Sequence, residues 1–466
     1  MRFKTRPAAY KDREGIVQLS SRIWDGDDYI PDLIDEWLNS SDPLYIVEDT
    51  EQERICAIDH CAVKGDYAYL EGLRVDPDYR GMGLGREVFR ATLKETLRRG
   101  LTRNGALIMN ESEASMHLAR KMFFEPVNHY FFLEKKIEPE KKENVAGIKV
   151  REIYPGELER MKDEFHTLLM ATGGFVPNSW SVEPEMAFDE NKLIFESPEG
   201  KLVAGIHNNE QENFAISLFT KPGRWIEDLL PVLEGVASGF GCRRLLLTVP
   251  SALREWAEEF KQYGFKPLWE EEDGKGTRSI DDSVIYHVEL NWNKIDRQVI
   301  PEQLNKKKLF DNYYRCSKRC RYGFPQVIES FPLKDGRPFP TTFYLTCPYL
   351  RYNISQLEEK GLIGELEPLT KEEDYKKTEQ NYIAYRKRRV INTLTDGRDY
   401  IERYRETFES GIGGIKGGSG IKCLHLHTAT YLAGMMNPVG HRVMAMLEEN
   451  GVGNRCEDVD CFRFIH

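Results

Sequence analysis

The stretch Val75-Asp-Pro-Asp-Tyr-Arg-Gly-Met-Gly-Leu-Gly-Arg-Glu-Val-Phe89 holds three glycines within five residues, between an apolar run and an amphipathic one. Upstream, Tyr67-Ala-Tyr-Leu-Glu-Gly-Leu-Arg-Val75 alternates as a strand does, and Val88 to Leu97 repeats apolar residues at helical spacing. Gly81, Gly83 and Gly85 therefore fall in a strand-to-helix turn. Missing side chains there let backbone N–H groups converge on an anion, and the following helix adds the positive end of its dipole. Pyrophosphate is the natural ligand. Two other phosphate turns do not fit: a P-loop ends in Gly-Lys-Ser/Thr where this chain has Leu84-Gly85-Arg86, and the G-x-G-x-x-G spacing of a dinucleotide turn is absent. A tight connection with no ligand is the plainer use of the same residues.

The chain is 466 residues long, too long for one core, and ~100–200 residues per domain suggests two to four domains. Its longest apolar runs fall well short of the ~20 residues of a membrane span, and the opening MRFKTRPAAYKDRE lacks a signal-peptide core, so a cytoplasmic protein is expected. In that setting the nine cysteines are reduced thiols or metal ligands rather than disulfides. The net charge of -11 is unevenly spread: residues 301–466 carry 26 Lys and Arg against 22 Asp and Glu, and residues 1–300 carry 39 against 54. An acidic first portion argues against a nucleic-acid backbone binder there. Three cysteines precede residue 300 (Cys56, Cys61, Cys242) and six follow it, so the last third is chemically a separate module.

Glu138-Pro-Glu-Lys-Lys-Glu-Asn-Val145 reads as a linker, and a second boundary falls near Asn293–Lys308. The expected domains are therefore 1–137, 147–292 and 305–466. The first two share a pattern. Each opens with an extended run and a helical one, Phe3-Lys-Thr-Arg6 then Ile16 to Ile23, and Ile148-Lys-Val-Arg151 then Leu158 to Leu169. Each closes with a helix running into an aromatic, Ala114 to Phe124 and Ala252 to Phe265. Two α/β domains of common origin account for this.

Leu-Arg-Val-x-Pro-x-Tyr-Arg-Gly-x-Gly-Leu-Gly resembles the acetyl-CoA motif of the GNAT N-acetyltransferases, whose R-x-x-G-x-G core falls on Arg80, Gly83 and Gly85. The resemblance implies a mixed, mostly antiparallel sheet flanked by helices, an α/β (α+β) fold. It also implies acetyl-CoA as donor, with the backbone of Leu73 and Val75 along the pantetheine arm and the turn Arg80, Gly81, Met82, Gly83, Leu84, Gly85 and Arg86 on the pyrophosphate. An amine must lose a proton to be acetylated, so a carboxylate near the thioester is the usual general base. Glu71, two residues before Leu73, occupies the position where many relatives carry it; a solvated strand-end charge is its plain alternative. The family's tyrosine acid, in a pattern like L-Y-x-K-L-G-F, is replaced here by Ala119 in Leu118-Ala-Arg-Lys-Met-Phe-Phe124.

Ile23-Trp-Asp-Gly-Asp-Asp-Tyr-Ile-Pro31 and Trp37 resemble the start of the histidine N-acetyltransferase-like branch, in which a degenerate second GNAT domain follows the first. That resemblance implies tandem GNAT-like domains over about residues 1–290 and an acceptor of amino-acid size, with Asp25, Asp28 and Tyr29 as candidates for its pocket. Core aromatics around a loop are the alternative. The second domain has Thr220-Lys-Pro-Gly-Arg-Trp225 where the glycines belong, and Pro222 removes a backbone donor, so no CoA site is expected there. The reaction implied is acetyl transfer to a small amine or amino acid. A module that only binds or senses acyl-CoA is the other possibility.

In the last third, Cys316 and Cys320 lie four apart, Cys347 sits in Thr-Cys-Pro, Cys423 and His425 share Lys-Cys-Leu-His, and Cys456 and Cys461 stand near the end. The run Gly411-Ile-Gly-Gly-Ile-Lys-Gly-Gly-Ser-Gly420 leads to Cys423, as a loop would where backbone approaches a bulky centre. Thiolates from distant segments suit zinc or an iron–sulfur cluster, although buried, unligated thiols would give the same composition. Arg319-Cys-Arg-Tyr-Gly-Phe-Pro325, Pro338-Phe-Pro-Thr-Thr-Phe-Tyr-Leu-Thr-Cys-Pro348, Lys422-Cys-Leu-His425 and Asn437-Pro-Val-Gly440 resemble a bacterial family, domain of unknown function 501. It singles out Cys320, Cys347, Cys423 and a cysteine near the C-terminus, read as Cys461, as ligands of zinc or a [4Fe–4S] cluster, with His425 as a substitute ligand or second donor and Cys316 and Cys456 spare. The basic stretch Tyr382-Ile-Ala-Tyr-Arg-Lys-Arg-Arg389 reads as a solvated helix face or a contact for RNA or phosphate.

Overall fold

The computed structural model describes residues 2–110, 112–137, 148–152, 166–178, 181–184, 192–196, 202–208, 213–268, 279–416, 420–453 and 456–465. The linker expected at 138–145 and the helical pattern from Leu158 to 165 lie outside them. Contacts divide the chain into two compact units, one of residues 1–96 and 101–291, the other of residues 97–100 and 292–466.

In the first unit the alternating and periodic runs become β1 (Phe3–Pro7), α1 (Arg13–Ser20), α2 (Ile30–Asn39), β2 (Leu44–Asp49), β3 (Arg54–Lys64), β4 (Tyr67–Val75), α3 (Leu84–Arg98), β5 (Arg103–Met109), α4 (Glu113–Lys121) and β6 (Phe124–Lys136). β1 to β4 pair antiparallel in order and β5 joins β4 in parallel. The pattern recurs further along: β10 (Lys192–Glu196), β11 (Leu202–Asn208) and β12 (Asn213–Leu218) pair antiparallel, the helix Trp225–Gly239 follows, and β13 (Arg244–Pro250) joins β12 in parallel. β7 (Lys149–Glu152) edges this second part, β8 (Phe175–Asn178) and β9 (Ser181–Pro184) form a separate hairpin, and β14 (Lys266–Pro267) and β15 (Val284–Leu290) close it.

The two parts share one 13-stranded sheet, in the order β1-β2-β3-β4-β5-β15-β6-β13-β12-β11-β10-β7 with β14 on β6. Their closing strands are exchanged. β15 lies between β5 and β6, and β6 continues onto β13. A buried hydrogen bond between the Tyr67 hydroxyl and His287 Nε2 (2.8 Å) fastens the exchange, and Gly105 makes room for that hydroxyl, which would lie 1.8 Å from a Cβ there. The sheet is mixed, mostly antiparallel and flanked by helices, as expected from the glycine-turn stretch.

The second unit is α+β. The helix Trp292–Gln303 leads into β16 (Tyr313–Arg319), β17 (Pro325–Ser330), β18 (Leu333–Lys334), β19 (Arg337–Pro338) and β20 (Phe343–Leu345), of which β16, β17 and β20 form a three-stranded sheet. The helices Pro348–Glu359, Glu373–Ile391, Leu424–Leu432 and Pro438–Glu449 bury Leu350, Ile354, Tyr375, Tyr382, Ala429 and Val443 in its core. Among the described residues no helix is long and apolar enough to cross a membrane.

One expectation for this unit is corrected. Arg386, in the basic stretch, is fully buried, donating to the carbonyls of Thr407, Ser410 and Phe339, while Arg389 pairs with Glu329. These cations are spent inside the fold rather than offered to RNA or phosphate. At the start of the glycine run, a Cβ on Gly411 would lie 1.5 Å from the carboxylate of Glu379, which accepts the Ile412 N–H at 3.0 Å.

Candidate active site

β4 and β5 are paired only over Tyr67–Tyr69 and Arg103–Gly105. Beyond that point β5 follows β15, and β4 is bent away by a bulge: from Ile58 to His60 β3 advances two residues while β4 advances three, from Glu71 to Arg74. Gly72 makes the bulge, with φ +69°, and a Cβ on it would lie 2.6 Å from the Trp37 indole. Glu71, Leu73 and Val75 thus lie past the split. The Tyr69 hydroxyl reaches across it to take the Leu107 N–H of β5, although burial and the nearby Glu71 charge hold that phenol well above its ordinary pKa.

At the far end of β4 the turn is held from below. Asp76 is fully buried, accepts the Asp78 N–H (3.0 Å) and pairs with Arg22 (2.8 Å) and Arg54. The Tyr79 hydroxyl meets Asp49 at 3.0 Å and Gln52 at 2.6 Å. Arg80, Gly81, Met82 and Gly83 stand exposed above this base. Gly81 and Gly83 take φ of +79° and +82°, with open space where a Cβ would be. Gly85 instead packs on β4, where a Cβ would lie 3.1 Å from Val75. The first hydrogen bond of α3 runs from the Glu87 N–H to the Gly83 carbonyl (3.1 Å), so the amides of Gly83, Leu84, Gly85 and Arg86 precede the helical ladder. The Arg86 Nε is buried without a partner, and burial together with the Arg86 charge lowers the pKa of Arg90 one turn on. Two crowded cations beside unused amides suit an anion of high charge. The corresponding turn of the second part differs: Gly223 is not left-handed, and the Trp225 indole donates to the Lys221 carbonyl (3.3 Å) across it.

Glu71 accepts from His60 Nδ1 at 3.0 Å, and His60 stacks on Trp37 with ring centroids 4.2 Å apart. His60 Nε2 is buried without a partner. The sequence did not single out His60; its place opposite Glu71 on the neighbouring strand depends on register, which the residues alone do not set. Tyr29 meets Trp37 edge-on at 6.4 Å, and burial pushes its phenol up to about 12. Asp28 is buried and committed: Arg74 donates to both its oxygens (3.1 and 2.8 Å) and the Ser20 hydroxyl to one (2.5 Å). Its carboxylate positions Arg74, whose guanidinium lies 4.3 Å from the Trp24 ring and 5.0 Å from the Tyr29 ring. Asp25 is exposed, in a loop where Trp24, Asp25 and Gly26 all have left-handed φ (47°, 56° and 93°). Such consecutive non-glycine conformations cost on the order of 1–3 kcal/mol each and concentrate at functional sites. Ala119 is buried on α4 and contributes no proton donor.

The predicted metal residues fall into two groups. The ligand atoms of Cys423, His425 and Glu358 lie within 4.8 Å of one another. Glu358 there caps the helix Leu424–Leu432, accepting from the Leu424 N–H (2.5 Å), and the His425 ring spans Glu358 (3.2 Å) and the Arg351 carbonyl (3.1 Å). Both ring nitrogens already have protein partners. Cys320, Cys347 and Cys461 stand instead with Cys456, which the sequence reading had set aside as spare.

Residues 14–124 match the model of the Acetyltransferase (GNAT) family, and residues 316–445 match that of the Protein of unknown function (DUF501) family. A histidine N-acetyltransferase of Xenopus tropicalis is 34% identical over 88 residues, which are 19% of this chain and 27% of that protein. This chain thus spans about a quarter of the length of that curated relative. Among solved structures, a GCN5-related N-acetyltransferase from Sphaerobacter thermophilus aligns over 62% of this chain and 95% of its own, at 17% identity and a TM-score of 0.43. The ribosomal-protein-S18-alanine N-acetyltransferase of Escherichia coli aligns over 27% of this chain and 80% of its own, at 17% identity and a TM-score of 0.26. The split strand, the glycine turn and the family matches agree: residues 14–124 are a GNAT acetyltransferase domain, and residues 316–445 are a DUF501 domain.

Proposed function

We propose that this chain is an acetyl-CoA-dependent N-acetyltransferase acting on the amine of a small molecule or amino acid. The observation that carries the proposal is the split of β4 from β5, with Glu71 inside it and the glycine turn at its end. Acetyl-CoA supplies the activated acetyl thioester. The amides of the turn and the cations of Arg80 and Arg86 bind its pyrophosphate, and backbone groups of Leu73 and Val75 align the pantetheine arm. Glu71 takes the proton that the acceptor amine loses as the N–C bond forms and the C–S bond breaks. His60, donating to Glu71, fixes the carboxylate. The departing thiolate is protonated by water, since Ala119 offers nothing.

The histidine N-acetyltransferase relative supports an acceptor of amino-acid size, with Tyr29, Trp37 and the Arg74 stack lining its approach. Ala119 favours a second reading, in which the domain binds acyl-CoA without turning it over. CoA release from acetyl-CoA across a panel of amines separates the two. Glu71→Gln is expected to lower kcat by about 100-fold or more with little change in the acetyl-CoA KM, and Gly83→Val to weaken acetyl-CoA binding. Turnover that survives Glu71→Gln intact would sink the catalytic assignment, and the absence of any release with every amine would favour the binding module.

A further inference from the structure

We propose that Cys320, Cys347, Cys456 and Cys461 together hold an iron–sulfur cluster in the second unit. Three separate segments supply these residues, and hydrogen bonds lace the segments together. Cys320 opens a tight turn between β16 and β17, closed by Cys320 N–H to the Phe324 carbonyl (2.9 Å) and Gly323 N–H to the Cys320 carbonyl (3.0 Å). Gly323 is required there, since it has φ +86° and a Cβ on it would lie 2.2 Å from the Trp292 indole. Cys347 caps the N-terminus of the helix Pro348–Glu359. Cys456 and Cys461 belong to the C-terminal segment, Cys461 within the 3₁₀ turn Asp460–Phe464. The Tyr322 hydroxyl ties the first segment to the last, meeting the carbonyls of Cys456 and Glu457 at 3.2 Å each. Gln303 donates both to the Pro325 carbonyl (2.9 Å) and to the Cys461 sulfur (3.3 Å), and the Thr346 hydroxyl, beside Cys347, donates to that same carbonyl (3.0 Å).

All four thiols are free, and Cys320 lies within electrostatic reach of Cys347, Cys456 and Cys461. Each sulfur is also given an N–H donor. Amides of Tyr322 and Phe324 serve Cys320, those of Leu350 and Tyr349 serve Cys347, that of Asp460 serves Cys456, and the Gln303 side chain serves Cys461. Such donors stabilise sulfur held as thiolate, and they tune a cluster's potential. Four thiols crowded together, each with a donor for its anionic form, make a poor apolar core and a good ligand set.

Spacing selects the occupant. Tetrahedral zinc at about 2.3 Å from each sulfur would draw every sulfur pair to about 3.8 Å. Among the described residues only Glu358, Cys423 and His425 place three ligand atoms within 4.8 Å, so no three of these sulfurs are as close as zinc would require. A [4Fe–4S] cluster, whose four irons each take one thiolate, accepts sulfurs spaced more widely than a single ion does. Cys423 is excluded by its position: it stands with Glu358, whose α-carbon is about 16 Å along the helix from that of Cys347 at 1.5 Å per residue.

The full chain, purified anaerobically and reconstituted with ferrous iron and sulfide, is expected to carry about four iron and four sulfide per chain and to show broad visible absorption that dithionite bleaches. Cys456→Ser should lose the absorption and the iron, and Cys423→Ser should keep both. Alkylation of the unsubstituted holoprotein, read by mass spectrometry, tests the same ligands without risk of misfolding: Cys316 and Cys423 should be labelled, and the four proposed ligands protected until iron is chelated. Stoichiometric zinc without iron, a metal-free folded chain, or a cluster lost in Cys423→Ser but kept in Cys456→Ser would each overturn the proposal.

Discussion

His287 makes the exchange of closing strands sensitive to acid. It lies on β15, between β5 and β6; its ring is buried, its Nε2 is bonded to the Tyr67 hydroxyl, its Nδ1 has no partner, and Phe175 packs edge-on at 4.6 Å. Burial, helped by the Arg103 charge, lowers its pKa to about 3. A histidine whose folded pKa is depressed contributes stability that is present above its unfolded value near 6.5 and is lost as pH falls through the folded value. Between pH 7.5 and 5 the unfolded ring takes up nearly a full proton and the folded ring almost none. At ~1.4 kcal/mol per pKa unit, that removes about 2 kcal/mol. Urea denaturation of wild type and His287→Gln at both pH values isolates the effect, because glutamine can meet the Tyr67 hydroxyl and does not titrate. The wild type should lose about 2 kcal/mol more than the variant over this interval. Equal losses in the two proteins would refute the claim that His287 stays neutral in the fold.

Asp59 works in the opposite direction: it is buried, and burial holds its carboxyl well above the usual range, so its contribution is full below pH ~4 and is lost as pH rises through the folded value. Asp59→Asn should therefore flatten the fall in stability that the wild type shows towards alkaline pH, measured by the same denaturation series. Gly72→Ala must strain the bulge and displace Trp37, which should cost about 1–3 kcal/mol and lower acetyl-CoA turnover, by thermal melting and CoA-release assay. Arg386→Lys cannot span the three carbonyls that the guanidinium reaches, so it should destabilise the second unit by about 2–4 kcal/mol while acetyl-CoA affinity is unchanged, by denaturation and calorimetry.

Much of the glycine turn was legible because it is local. Alternation announced β4, helical spacing announced α3, and three glycines between them left one kind of turn to build. His60, Tyr69 and the bulge at Gly72 were not legible, since they depend on how β3 and β5 register against β4. The basic stretch misled for a different reason. Charge drew attention to Arg386, whereas Tyr375, Glu379, Tyr382, Arg386 and Val390 recur every three or four residues and mark one buried face of the helix Glu373–Ile391. Cys456 lies outside the four positions that the resemblance supplies, and the sequence signal for the ligand proposed here is its place five residues from Cys461.

Among the described residues the second part of the first unit has no turn like that at Gly81–Gly85, yet its β15 supports one edge of the split between β4 and β5. β5 forms one lip of the split, and its other edge is satisfied by β15, paired from Ile285 with Met109 to Glu289 with Gly105. Without β15, β5 would expose a row of amides and carbonyls at the point where it must also part from β4, and nothing would oppose closure of the two strands. The Tyr67 end of the Tyr67–His287 bond lies in the short stretch where β4 and β5 pair, two residues before this fork. Under the proposed function, the second part acts on acetyl-CoA binding through strand placement. Any change that loosens β15, including protonation of His287, should weaken donor binding along with stability.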